Sequence, residues 1–289
     1  MYPSGQIIAF EGLDCSFKET NFKQYVEYLR LQYPKESKRC LITTSFPRYG
    51  HSTCIMVENF LQNRIDSVRF RANFSDTVCS FYSMDRLDFW NHFYEFNGIN
   101  LTYLDISKLP QSCFVFDRYS LSNAIYNPDN GEYVTEQDIV KEKERFGNPL
   151  PTILVWLRMM DRPTYLKILS NKSGKDFNEA NMDFMAMVWE RSEKLINSDI
   201  LRRCGITPVI VECLDEELCI RTREDIFTDV ISGINRAIDE RQIIRDSILE
   251  PQDMRGFISF GGEEINPSNI LDNKILCNNT SMDKNQEGK

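Results

Sequence analysis

An α/β fold with a five-stranded parallel sheet and helices on both faces is the architecture this sequence predicts. Five short, nearly continuous apolar runs read as strands buried on both faces. Helical patterns separate them, which implies a parallel sheet covered on each side. Residues suited to phosphate chemistry follow the strands, and parallel sheets bind ligands beyond their carboxyl ends.

Residues 6–10 (QIIAF) form the first run, bounded by turn residues. Residues 18–33 follow as a helix, with Phe22, Tyr25, Val26 and Leu29 at helical spacing. Residues 40–44 (CLITT) are the second strand. A long helix is expected over 68–96, where Phe70, Phe74, Val78, Phe81 and Asp85 fall three or four apart. Residues 113–116 (CFVF) follow Pro110, and 153–157 (ILVWL) follow Asn148-Pro149-Leu150-Pro151. Residues 179–196 read as a helix rich in Met, 208–212 (PVIVE) as the fifth strand, and 223–238 as the last helix. The expected domain covers 1–244. Residues 245–289 read as a polar tail, disordered at 278–289, with room for a short ordered piece at 257–260.

Composition narrows the function. The 289 residues hold 34 Lys and Arg against 43 Asp and Glu, a formal charge of −9. That balance argues against sequence-blind nucleic-acid binding, which needs many phosphate-neutralising cations. No apolar run approaches the ~20 residues needed to span a bilayer, and residues 1–10 carry no secretory signal pattern. The nine Cys are an odd count without a C-x-x-C pair, which speaks against zinc and a disulfide framework and fits a reducing, cytoplasmic setting. His51 and His92 are the sole histidines, so chemistry built on a histidine base has few candidates.

The segment after the first strand runs Gly12-Leu13-Asp14-Cys15-Ser16-Phe17-Lys18-Glu19-Thr20. A phosphate-binding loop reads G-x-x-x-x-G-K-[ST] between a strand and a helix. Gly12 and Lys18 stand at the right separation, whereas Phe17 replaces the second glycine and Glu19 the hydroxyl, with Thr20 one place later. Glycine lets backbone N–H groups turn inward on phosphates. Phe17 takes the required angles at a cost of about 1 kcal/mol or more. Glu19 adds an anion near the donor oxygens, or a direct ligand for Mg²⁺.

Further motifs lie at the strand ends. Phe46-Pro47-Arg48-Tyr49-Gly50 follows the second strand, Phe81-Tyr82-Ser83-Met84-Asp85-Arg86 lies in the long helix, and residues 117–127 (DRYSLSNAIYN) follow the third strand. An Arg directly after a buried strand suits a ligand clamp, since its fork matches phosphate oxygens. With FEGLD at 10–14, these motifs, in this order over about residues 6–238, resemble the thymidylate kinase family of P-loop nucleoside monophosphate kinases. The segment 174–179 (GKDFNE) resembles the family's lid.

The resemblance implies a P-loop kinase fold and transfer of phosphate from ATP to dTMP, giving dTDP, with Mg²⁺ as cofactor. It also implies a homodimer. Lys18, Asp117 and Arg118 would be the catalytic residues. Gly12, Ser16, Lys18, Glu19, Thr20, Lys172 and Lys175 would meet ATP, and Glu19 and Asp117 the metal. Asp14 would face the 3′-hydroxyl of dTMP, Arg48, Arg86 and Arg118 would hold its phosphate, Tyr82 would stack on thymine, and Asn123 and Asn127 would lie by the base. Phe177 stands where the family commonly has a lid Arg. The departures fall on the donor side, at Cys15, Phe17 and Glu19. They leave an alternative: a kinase-like protein of impaired catalysis that binds nucleotide as a sensor or partner module.

Overall fold

The structure is a computed structural model. It describes residues 3, 5–32, 40–62, 64–65, 74–97, 112–127 and 131–248. The chain divides into two units, Met1–Glu250 and Pro251–Lys289. All described residues lie in the first, so the expected piece at 257–260 falls outside them.

The sheet is five-stranded and wholly parallel, in the order β2-β3-β1-β4-β5. Its strands are β1 (Gln6–Gly12), β2 (Cys40–Ser45), β3 (Ser112–Asp117), β4 (Ile153–Arg158) and β5 (Thr207–Glu212). β1 is buried along its whole length, and β3 and β4 are buried but for one end residue, as their unbroken apolar runs require. β5, at the edge, alternates between buried and more open positions.

Residue alternation sorts the helices onto the two faces. Phe114 and Phe116 of β3, two apart, meet Phe89, Trp90 and Phe93 of helix α3 (Phe74–Asn97), with ring centroids 5.0–5.9 Å apart. On the other side, Phe10 of β1 packs on Phe22 and Tyr25 of helix α1 (Lys18–Gln32). Helix α2 (Ile55–Leu61) leads into α3. Helices α4 (Leu121–Tyr126) and α5 (Glu136–Phe146) follow β3, and α6 (Arg162–Ser170), α7 (Met182–Ile196) and α8 (Ile200–Arg203) lie between β4 and β5. α5 begins with a capping box between Thr135 and Asp138 and ends on Gly147 in the left-handed region. Asn181 caps α7.

Helix α9 (Arg223–Ile248) continues past residue 238, where the apolar period fades, and crosses the expected boundary at 244. Gly233 lets it approach β5, because a Cβ there would collide with Val209 Cγ1. Gly233→Ala is therefore expected to destabilise the protein by about 1–2 kcal/mol, the overpacking outweighing the gain in helix propensity. Thermal unfolding checks this: an unchanged or raised melting temperature would show that α9 shifts freely.

Candidate functional site

β1 runs into a loop at 13–17 and then into α1. Gly12 is fixed by close approach, since a Cβ would lie 2.8 Å from the Leu157 carbonyl oxygen. Cys15 and Phe17 hold φ of 65° and 61°, left-handed angles that cost a non-glycine residue about 1–2 kcal/mol each. The loop thus keeps a shape glycine would adopt freely, and the Phe17 ring offsets part of the cost by packing on the core. Lys18 opens α1 nearly buried, its Nζ donating to the Leu13 carbonyl at 3.2 Å and reaching Asp14 Oδ1 at 3.5 Å. Ser16 Oγ donates to the same carbonyl at 2.7 Å. Glu19 lies on the exposed side of α1, paired with Lys23 at 2.6 Å, and Thr20 is half-buried.

Asp117 ends β3 and Arg118 follows at φ 61°, its N–H donating to the Phe10 carbonyl at 2.8 Å. That stitch carries the guanidinium to Asp14, where Nη2 pairs with Oδ1. Tyr126 donates its hydroxyl to Asp14 Oδ2 at 3.2 Å. Buried Glu11 secures the turn, accepting from Tyr119 N at 2.8 Å and Ser122 Oγ at 2.7 Å.

Burial disfavours charge on Asp14, but Arg118, Lys18 and Lys172 outweigh it and hold the carboxyl well below its usual range. Burial raises the Asp117 carboxyl despite Lys18 and Arg118, and burial with Arg118 lowers Lys18. Asp117 Oδ1 is buried with no hydrogen-bond partner among the described residues.

A cavity of about 280 Å³ opens beside this group. Six expected acceptor residues line it: Asp14, Tyr82, Arg86, Arg118, Asn123 and Asn127. Arg48 does not. Its Nε binds Asp85 Oδ1 at 2.9 Å and its Nη2 binds Asp88 Oδ2 at 2.5 Å, both on α3. Arg86 is fully buried in a two-pronged pair with Glu142 of α5.

Lys172 pairs with Glu179, and Lys175 Nζ donates to the Ser170 carbonyl at 2.9 Å, so neither lines the cavity. Asp176 and Phe177 do line it. The Phe177 N–H donates to the Leu61 carbonyl at 3.3 Å and its ring meets Phe60, which fastens this segment to α2. Sequence reasoning passed over Glu11, Tyr126, Glu142 and Asp176. Glu11, Tyr126 and Asp176 sit inside segments already quoted; Glu142 carries no local signal.

A parallel sheet in this strand order, a loop from Gly12 entering α1 and an Asp-Arg pair at the end of the neighbouring strand make up a P-loop kinase fold. The particular fold is that of the thymidylate kinases. The chain matches thymidylate kinase from Candida albicans with a TM-score of 0.51 at 20% identity, over 81% of this chain and 94% of that one. It matches thymidylate kinase from Ehrlichia chaffeensis with a TM-score of 0.51 at 17% identity, over 79% and 98%. No protein-family model matches the chain, and neither does the sequence of any curated protein. Among the described residues no helix is long and apolar enough to cross a membrane, and no cluster of three His, Cys, Asp or Glu forms a metal cage.

Proposed function

We propose that the protein transfers the γ-phosphate of ATP to dTMP, giving dTDP and ADP. The observation that carries this reading is the cavity beside Arg118 and Asp14, with Tyr82, Asn123 and Asn127 among the residues on its walls. Such a lining suits a flat base at one end and a phosphate at the other. Tyr82 supplies a stacking face worth about 1–3 kcal/mol. Arg118 exchanges Asp14 for the acceptor phosphate, and Asp14 turns to the 3′-hydroxyl.

Phosphoryl transfer asks mainly for alignment and charge neutralisation. Lys18 at the start of α1, with the N–H groups of the loop, meets the donor phosphates. Arg118 orients the acceptor oxygen that attacks the γ-phosphorus as ADP leaves. Mg²⁺ fits the donor set: Asp117, whose buried Oδ1 has no hydrogen-bond partner among the described residues, would hold it together with phosphate oxygens and waters. When bound, the ion neutralises charge on the moving phosphoryl group. Glu19, exposed and paired with Lys23, fits a surface ion pair better than a metal ligand. Lys172 lends positive charge from the lid segment, and Lys175 extends it.

A homodimer belongs to the same reading, supported by exposed Ile55, Met56 and Met84 on α2 and α3. A cytoplasmic setting belongs to the same reading, with thiols such as those of Cys15, Cys54 and Cys213 unlinked by disulfides. The rival, a nucleotide-binding module of impaired catalysis, draws on the two strained loop residues.

Thermal unfolding and a coupled ADP assay separate the two. Saturating dTMP is expected to raise the melting temperature, and by more than dCMP or dGMP. ATP with dTMP and Mg²⁺ is expected to give ADP. Stabilisation without ADP would favour the binding module. No stabilisation would overturn the acceptor site itself.

A further inference from the structure

β1 and β4 are paired neighbours, with Gly12 opposite Leu157, so the loop that carries Asp14 and the first turn of α6 leave the sheet at the same carboxyl end. Tyr165 sits in that turn, its N–H donating to the Asp161 carbonyl at 2.9 Å, and it is fully buried. Its hydroxyl has no hydrogen-bond partner among the described residues. The charged groups that act on that hydroxyl are Asp14, Glu179 and Arg118, together with the Cys15 thiol. Glu179 is engaged elsewhere, pairing with Lys172 and accepting from Asp176 N at 3.2 Å. Asp14 is engaged too: Oδ1 takes Arg118 Nη2 and lies 3.5 Å from Lys18 Nζ, and Oδ2 accepts from Tyr126 at 3.2 Å. A buried phenol without an acceptor has given up its water for no bond, so it marks a packing fault or a group that is paired in a second state. The carboxylate beside Tyr165 supplies that second state, because its strongest partner is an arginine suited to a phosphate.

We propose that Tyr165 is a positioning residue for Asp14, idle while Arg118 holds that carboxylate and donating to it once Arg118 is withdrawn. The exchange rests on the nucleotide reading above, in which Arg118 goes to the acceptor phosphate and Lys18 to the donor. Asp14 then loses both cations while it stays buried. A carboxylate offers about four lone-pair sites. Tyr126 keeps one, the 3′-hydroxyl of the nucleotide takes another, and the Tyr165 O–H fills a place that Arg118 gave up. Burial, with Asp14 and Glu179 nearby, keeps the phenol protonated, as a donor must be. Tyr165 thereby keeps Asp14 charged and aimed when the site is loaded, and so favours the arrangement with Arg118 on the phosphate.

Thermal unfolding of the full chain without nucleotide, followed by calorimetric titration with dTMP, tests this. In the parent background Tyr165→Phe removes a hydroxyl that bonds to nothing, so the melting temperature should hold or rise. In an Arg118→Ala background Asp14 is released and Tyr165 takes it, and the same substitution should lower the melting temperature by about 3 °C or more. Arg118→Met, which fills more of the vacated volume, carries the same expectation should the Ala variant not fold. Tyr165→Phe alone should weaken dTMP binding about tenfold, because its hydrogen bond to a charged group exists only in the loaded state. A purely structural tyrosine would lose equal stability in both backgrounds; that result, or no loss in either, would overturn the proposal. Unchanged dTMP affinity in Tyr165→Phe would overturn it as well. A parent that binds no dTMP removes the nucleotide reading, while the melting comparisons made without nucleotide still decide whether Tyr165 takes Asp14 over from Arg118.

Discussion

Replacing Arg118 with Ala is expected to abolish most of the stabilisation by dTMP and to lower phosphoryl transfer by about 10²–10³-fold. The guanidinium is the one expected phosphate ligand that both lines the cavity and sits at a strand end. Its loss also strands Asp14, whose side chain is 11% exposed. Removing one member of so buried a pair costs about 2–3 kcal/mol here, since Arg118 itself is partly exposed and Lys18 remains nearby.

The pH dependence follows with a definite sign. Asp14 has its folded pKa depressed, so its contribution is complete above the unfolded carboxylate value near pH ~4 and fades as pH falls through the folded value. Without Arg118, burial acts with less opposition and the carboxyl takes up its proton at higher pH. The acid limb of the stability curve should therefore move to higher pH in Arg118→Ala. Unaltered acid unfolding, with unaltered dTMP stabilisation, would remove Arg118 from the site.

All five strands were legible because each carries its own apolar run, and they extend beyond the expected limits by no more than two residues at either end. The loop that joins β1 to α1 was legible from Gly12 and Lys18, and its strain from Phe17. The lining of the cavity was legible wherever a motif follows a strand or repeats along one helix face, as Tyr82 and Arg86 do at i and i+4. What stayed hidden depends on residues distant in sequence. Glu142 meets Arg86 across 56 positions, on a helix whose polar composition gives no hint of a buried carboxylate. Asp85 and Asp88 take Arg48 across 37 and 40 positions, so an arginine that reads as a phosphate clamp is found in a carboxylate pair. Short helices such as α2 and α8 span two turns or fewer, too little for a period to declare itself.

The donor loop gives the second large effect. Lys18→Ala is expected to reduce transfer by about 10²-fold or more while dTMP stabilisation persists, because Lys18 does not line the acceptor cavity. In the opposite direction, Phe17→Gly joined to Glu19→Thr should raise transfer. Glycine adopts φ near 61° without steric cost, which removes about 1–2 kcal/mol of strain at that position. Loss of the Phe17 ring from its packing on the core outweighs this relief in stability, so rate and melting temperature should move in opposite directions. Threonine in place of Glu19 removes an anion one residue from Lys18 and supplies the hydroxyl that P-loops offer to Mg²⁺. The exposed pair with Lys23 is worth little at the surface, so its loss should not unfold α1. If Glu19 were instead a metal ligand, the double substitution would slow transfer, and Glu19→Gln alone would raise the Mg²⁺ concentration needed for half-maximal rate. Steady-state rates across a Mg²⁺ series therefore decide between a strained but working loop and one rebuilt around its own carboxylate. Transfer absent from both parent and doubly substituted protein, with dTMP still bound, would leave the binding module as the function of this fold.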